Sequence, residues 1–259
     1  MALKTLLAET TVLQDGKCLI QHIIGHNGFA LLADRKNRLL EPELVTILRK
    51  WLAKTNIPQT LWIQGPSELG KNSSVKGSGL ALITAALQAE TPFISHFYEL
   101  PDRGNSMSRE NSQRTGLIGM LYNLIYQLLQ FSMEKTTVNS ISTRLRDLDG
   151  SEASWPKAMF LFEELLCDNP NLSYCVIHGI NRLEAAGGSE WCSQLISTLL
   201  KRQKMAETPF SLLFTTSGSS RALSAQIQVQ DRHIHLQGMK TLHKRGKLLE
   251  LSIPQKTSE

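Results

Sequence analysis

The chain is 259 residues long, 41% hydrophobic and 20% charged, with a formal net charge of +5. That length can bury a sizeable core, and the balance is the one expected of a soluble globular protein. No run approaches the roughly 18 apolar residues of a membrane span, and the N-terminal string MALKTLLAETTVLQDGK lacks the long apolar stretch and small-residue cleavage site of a secretory signal, so a cytoplasmic protein is expected.

Residues 1–58 read as a short helical lead-in. Within it, EPELVTILRKWLAK at 41–54 sets Leu44, Ile47, Leu48, Trp51 and Leu52 at helical spacing, giving one apolar face. A polar turn with Pro58 leads into a strand at Leu61–Gln64. That strand runs into Gly65, four intervening residues, Gly70 and Lys71, the opening of a Walker A phosphate loop. In such a loop the backbone N–H groups wrap the β-phosphate and the lysine neutralises β- and γ-oxygens, roles that Gly65, Gly70 and Lys71 can fill. The next position calls for a Ser or Thr hydroxyl on magnesium and holds Asn72, a weaker ligand; Ser73 is the substitute contact.

The following string, NSSVKGSGLALITAALQAE, would put Gly77 and Gly79 inside the first turns of a helix begun at the lysine. Each mid-helix Gly costs about 1 kcal/mol relative to Ala, and serines prefer caps and turns. The helix is therefore expected to begin near Ser78, after a loop from Gly65 to Gly77. That length leaves two readings open, a flexible Gly/Ser connection or a loop that contacts nucleotide.

A strand is expected at 92–99, then a polar connection, PDRGNSMSRENSQR. Residues 115–131 form a helix apolar nearly all round except at Asn123, Gln127 and Gln130, which predicts deep burial. Residues 132–154 read as a loop or short mobile helix. A helix at Trp155–Cys167, the strand YCVIH at 174–178, a helix at Ser189–Lys204, a strand at Phe210–Thr216 and a last strand at His233–Leu236 follow. The expected organisation is a lead-in (1–58), an α/β domain (59–238) with a mostly parallel sheet and flanking helices, phosphate-loop NTPase-like in order, and a basic tail (239–259).

The second site of such a domain is an apolar strand ending in a magnesium-binding Asp. Here the strand ends at His178, followed by Gly179, Ile180 and Asn181, and the first carboxylate is Glu184. Imidazole favours softer metals than magnesium. His178 and Asn181 are therefore expected to face the phosphate pocket without catalysing. Thr215, Thr216 and Ser217 end the next strand, with Arg221 beyond; they read either as γ-phosphate sensors or, preferred here, as a polar turn closed by Gly218.

Elsewhere the chemistry is sparse. His233 and His235 alternate on one face of the last strand, and spacing alone assigns them no further metal ligands. Cys18, Cys167, Cys175 and Cys192 include no Cys-x-x-Cys pair and are expected to be reduced. The basic residues are dispersed apart from HKRGK at 243–247, which reads as a solvated face and tail and not as a nucleic-acid surface. Nucleophile-elbow, zincin and Gly-x-Gly-x-x-Gly patterns are absent.

The strings RLLEPELVTILRKWLAKTNIPQTLWIQGP, ETPFISHFYELP, TGLIGMLYNLIYQLL, YCVIHGINRLE, SEWCSQLISTLL and FSLLFTTSGSSRAL together resemble the NTPase-like domain of large fungal proteins related to the NACHT and STAND group, over about residues 35–225. The resemblance implies a nucleotide-dependent switch that takes ATP or GTP with Mg²⁺ and works through protein partners. Those relatives often carry Asp where His178 stands, and they add repeats after the nucleotide domain. This chain lacks both and is expected to be a stand-alone or truncated module. Three readings follow: a degenerate, non-hydrolysing scaffold or interaction module, put first; an ATP- or GTP-binding switch with slow turnover through Lys71 and Ser73; and an accessory protein of a fungal secondary-metabolite gene cluster. Base preference, partner and oligomeric state stay open.

Overall fold

The computed structural model describes residues 16–32, 40–54, 57–67, 74–98, 109–131, 138–185 and 187–235. In chain order the elements are α1 (Gly28–Leu31), α2 (Pro42–Leu52), β1 (Thr60–Gly65), α3 (Ser74–Gln88), β2 (Phe93–Phe97), α4 (Arg109–Phe131), α5 (Val138–Arg146), α6 (Trp155–Asp168), β3 (Tyr174–His178), α7 (Gly188–Met205), β4 (Ser211–Ser217), α8 (Arg221–Gln226) and β5 (Arg232–Ile234). The five strands form one sheet in the order β2-β3-β4-β1-β5, and every pairing is parallel. The chain is thus α/β with helices on both faces, as strands separated by helical crossovers require.

Alternation along the strands divides the interior into two cores. Ile63, Val176 and Leu213 point to the face covered by α2 and α3, where Leu44, Leu48, Leu80 and Ile83 meet them. Trp62, Ile177 and Phe214 point to the opposite face, under Leu121, Phe162, Leu195 and Leu223 of α4, α6, α7 and α8. Because the central strands are buried on both sides, they read as continuous apolar runs. On the second face, Trp155 of α6 stacks on Trp191 of α7, with ring centroids 4.4 Å apart and planes 4° from parallel, and the Trp155 indole N–H donates to Gln194 Oε1 at 2.8 Å.

The helix after β1 corrects the expected start near Ser78, since α3 already includes Ser74 to Gly77. Tertiary packing outweighs propensity here. A Cβ on Gly79 would stand 3.0 Å from Phe97 and 3.1 Å from Val176, so the glycine lets α3 lie close on β2 and β3. The buried Val75, Leu80, Leu82, Ile83, Ala85 and Ala86 more than offset the propensity loss of about 1 kcal/mol per glycine. Two other boundaries also move. The polar string before Thr115 is helical from Arg109, and within 132–154, read as a loop or short helix, residues 138–146 form the helix α5. The basic tail 239–259 and Leu236 lie outside the described residues.

The outer edge of the sheet at β2 is covered. Gln127, buried on α4, accepts from Ser95 N (2.9 Å) through Oε1 and donates from Nε2 to Ser95 O (2.8 Å). Beside it His26 makes a two-bond antiparallel bridge with Phe97. The lead-in reaches this place by crossing α4 at Gly119, where a Cβ would fall 2.6 Å from His22 O and 2.7 Å from Ile24 N. Backbone atoms cannot yield as a side-chain tip can. Gly119→Ala is therefore expected to lift residues 22–26 off the helix and to lower stability by about 1–3 kcal/mol, the usual scale of overpacking. Urea unfolding measures the loss; an unchanged midpoint would mean that the lead-in is not held at this crossing.

Candidate functional site

In an open parallel sheet, ligands bind beyond the carboxyl ends of the strands, where neighbouring strands send their connections to opposite faces. Adjacent strands β1 and β4 do this: α3 follows β1 on one face and α8 follows β4 on the other. Gly65, Ser217 and, one strand further, His178 stand at those ends.

Hydrogen bonds fix the rim of this crevice. Gly218 N donates to Gly65 O (3.0 Å), Gly179 N to Thr215 O (2.9 Å) and Tyr98 N to His178 O (3.0 Å). Asn181 Nδ2 donates to Ser217 O at 2.8 Å, while its buried Oδ1 has no hydrogen-bond donor among the described residues. A Cβ on Gly65 would meet Val75 at 2.7 Å, so only glycine lets the first turns of α3 come so near the strand end. A Cβ added at Gly218, whose φ is +94°, would stand 3.6 Å from Ser67 and 3.8 Å from Asn181 Nδ2. The loops after β1, β3 and β4 therefore converge.

His178 is 3% exposed and its Nδ1 lies 2.9 Å from Thr215 Oγ1. Burial, followed by the positive charges of Lys76 and Arg182, lowers its pKa to about 3, so the ring is neutral at ordinary pH. The same causes show a cationic field at the end of β3. Lys76, on α3 and only 4% exposed, is a residue that spacing did not single out.

The first carboxylate after β3, Glu184, is engaged on α8. Glu184 accepts Arg221 N at 2.8 Å and binds Ser220 Oγ, and so it caps α8. The hydroxyl of Thr216 accepts the Trp62 indole N–H (2.9 Å) and donates to Gly218 O (2.8 Å). Thr215 Oγ1 meets His178 Nδ1, so both threonine hydroxyls at this strand end have partners within the protein.

The structure thus brings Gly65, His178 and Asn181 to one crevice, whereas Gly70, Lys71, Asn72 and Ser73 lie outside the described residues. No helix among the described residues is long and apolar enough to cross a membrane. Comparison with protein-family models, curated proteins and solved structures yields no match.

Proposed function

We propose that the chain is a phosphate-loop-type α/β domain without hydrolytic chemistry, serving as a scaffold or interaction module in the manner of the degenerate NACHT- and STAND-like domains that its sequence resembles. The observation that carries this reading is the end of β3. A buried, neutral imidazole occupies the place of the magnesium-binding carboxylate, and Glu184 is held on α8. Without an acid there, the metal-assisted in-line transfer typical of such domains lacks the principal ligand of its cation.

A second reading, an ATP- or GTP-binding switch with Mg²⁺ and slow turnover, draws on different observations. Lys76 and Arg182 set positive charge beside the crevice, and Asn181 Oδ1 offers an acceptor that no described residue uses. In that reading Gly65, Gly70 and Lys71 approach the phosphates and Ser73 contacts the metal.

Thermal melting with ATP, ADP and GTP, each with and without Mg²⁺, separates the two. A ligand at a hundredfold excess over its Kd adds about 2.7 kcal/mol, a midpoint shift of roughly 5–10 °C at this size. The scaffold predicts no magnesium-dependent shift and no phosphate release. A shift that requires Mg²⁺ and disappears in Lys71→Ala, with the melting of the free protein unchanged, would establish the switch instead.

A further inference from the structure

We propose that Glu43, His233 and His235 form a binding site for one divalent transition metal of the zinc type, at the seam between edge strand β5 and the first turn of α2. The two histidines come together because side chains alternate along a strand: Ile234 between them is half-exposed on the opposite side, and the two imidazole centroids are 6.4 Å apart. Their backbone is placed by the sheet, with His233 in register with Ile63 and His235 N donating to Gln64 O at 2.8 Å. Helix α2 starts at Pro42, which sets Glu41 and Glu43 on its first turn against them.

The spacings suit a metal. Glu43 Oε1 is 3.5 Å from His233 Nε2, and Glu43 Oε2 is 3.4 Å from His235 Nδ1. One ligand atom from each of the three residues lies within 4.8 Å of the other two. Ligands about 2.0–2.1 Å from a tetrahedral zinc ion stand about 3.3–3.4 Å from one another. Hydrogen bonding leaves the same atoms unexplained. His235 is fully buried at its side chain, yet among the described residues neither ring nitrogen has a hydrogen-bond partner, and His233 Nε2 and Glu41 Oε1 also have none. Orphaned buried polar atoms are rare and call for an ion or water.

Glu41 completes the arrangement. Its Oε2 is 2.9 Å from His235 Nε2, near enough but out of line for a hydrogen bond. A small ring rotation aligns them, and a carboxylate that holds one imidazole nitrogen while the other meets the metal is the usual support of a histidine ligand. Two imidazoles and one carboxylate suit zinc and its first-row neighbours and not magnesium or calcium. Glu43 is half-exposed, so the fourth position opens to water. The ion would tie a three-residue edge strand to a helix distant in sequence.

The test uses the full chain stripped with EDTA and dialysed, titrated with Zn²⁺ by calorimetry and with Co²⁺ by visible absorption. The expected result is one Zn²⁺ per chain and cobalt d–d bands without thiolate charge transfer. Glu43→Gln and His233→Gln, at partly exposed positions that leave the core intact, should each weaken binding at least 10-fold, and Glu41→Gln about 10–100-fold. Three results would overturn the proposal: no stoichiometric binding, a double His233→Gln/Glu43→Gln variant that binds within twofold of the parent, or a thiolate band showing that one of the four cysteines takes the metal.

Discussion

Lowering the pH from 6.5 to 4.5 is expected to remove up to about 5 kcal/mol of folding stability through His96 and His178. Both imidazoles are held to a pKa of about 3, His178 by burial and then by Lys76 and Arg182, His96 by burial and then by His26, against a weaker opposing pull of the Ile24 carbonyl. In the unfolded chain both titrate at the ordinary value near 6.5. Between about pH 6.5 and 3 the unfolded state therefore binds more protons, and stability falls as pH falls; above about 6.5 neither ring contributes a slope. Each imidazole supplies at most about 1.4 kcal/mol per pH unit, the pair about 2.7, and two units about 5. Total stability is ordinarily about 5–15 kcal/mol, so the loss by pH 4.5 equals the whole of it at the low end of that range and about a third of it at the high end. Urea melts across this range measure the slope, and His178→Gln should remove about half of it. A flat profile down to pH 4.5 would mean that both rings charge freely in the folded protein.

Gln127→Leu is expected to cost about 2–6 kcal/mol although it adds apolar surface to an apolar helix. The amide meets both Ser95 N and Ser95 O, and Ser95 is fully buried on the edge strand. The leucine would leave a donor and an acceptor unpaired, at about 1–3 kcal/mol each. At about 2–4 °C per kcal/mol, the melting midpoint should fall by roughly 5–20 °C. Gln130→Leu, on the exposed side of the same helix, is the matched control and should change stability by no more than about 0.5 kcal/mol. Equal effects at the two positions would refute the pairing with β2.

The three polar residues of that helix show how far one sequence can be read. Their string predicts a buried helix, which α4 is, but not that Asn123 donates to His96 Nδ1 (2.8 Å) and Gln127 seals an edge while Gln130 meets solvent. Strand β3 matches the reading residue for residue because a strand buried on both faces has a continuous apolar pattern. The starts of α3 and α4 were missed for opposite reasons. In α3 the glycines argue against a helix that close packing on β2 and β3 stabilises. In α4 the polar residues before Thr115 hide a turn that Arg114 anchors to Glu152 and over the Trp191 ring. At the crevice, Gly65, His178 and Asn181 follow from motif order. The burial of Lys76 and the capping role of Glu184 are tertiary facts with no local pattern. The meeting of Glu41 and Glu43 with His233 and His235 likewise depends on β5 lying beside β1.

The face-to-face indoles of Trp155 and Trp191 give the protein an optical property of its own. Two parallel rings 4.4 Å apart are close enough for their electronic transitions to couple, so an in-plane twist between the two indoles would give this pair a circular dichroism couplet, whereas Trp51 and Trp62 lie outside the stack. The couplet depends on the distance between α6 and α7. Parting of that seam and global unfolding are thus distinguishable in one unlabelled sample, the first by loss of the couplet and the second by loss of the helical signal.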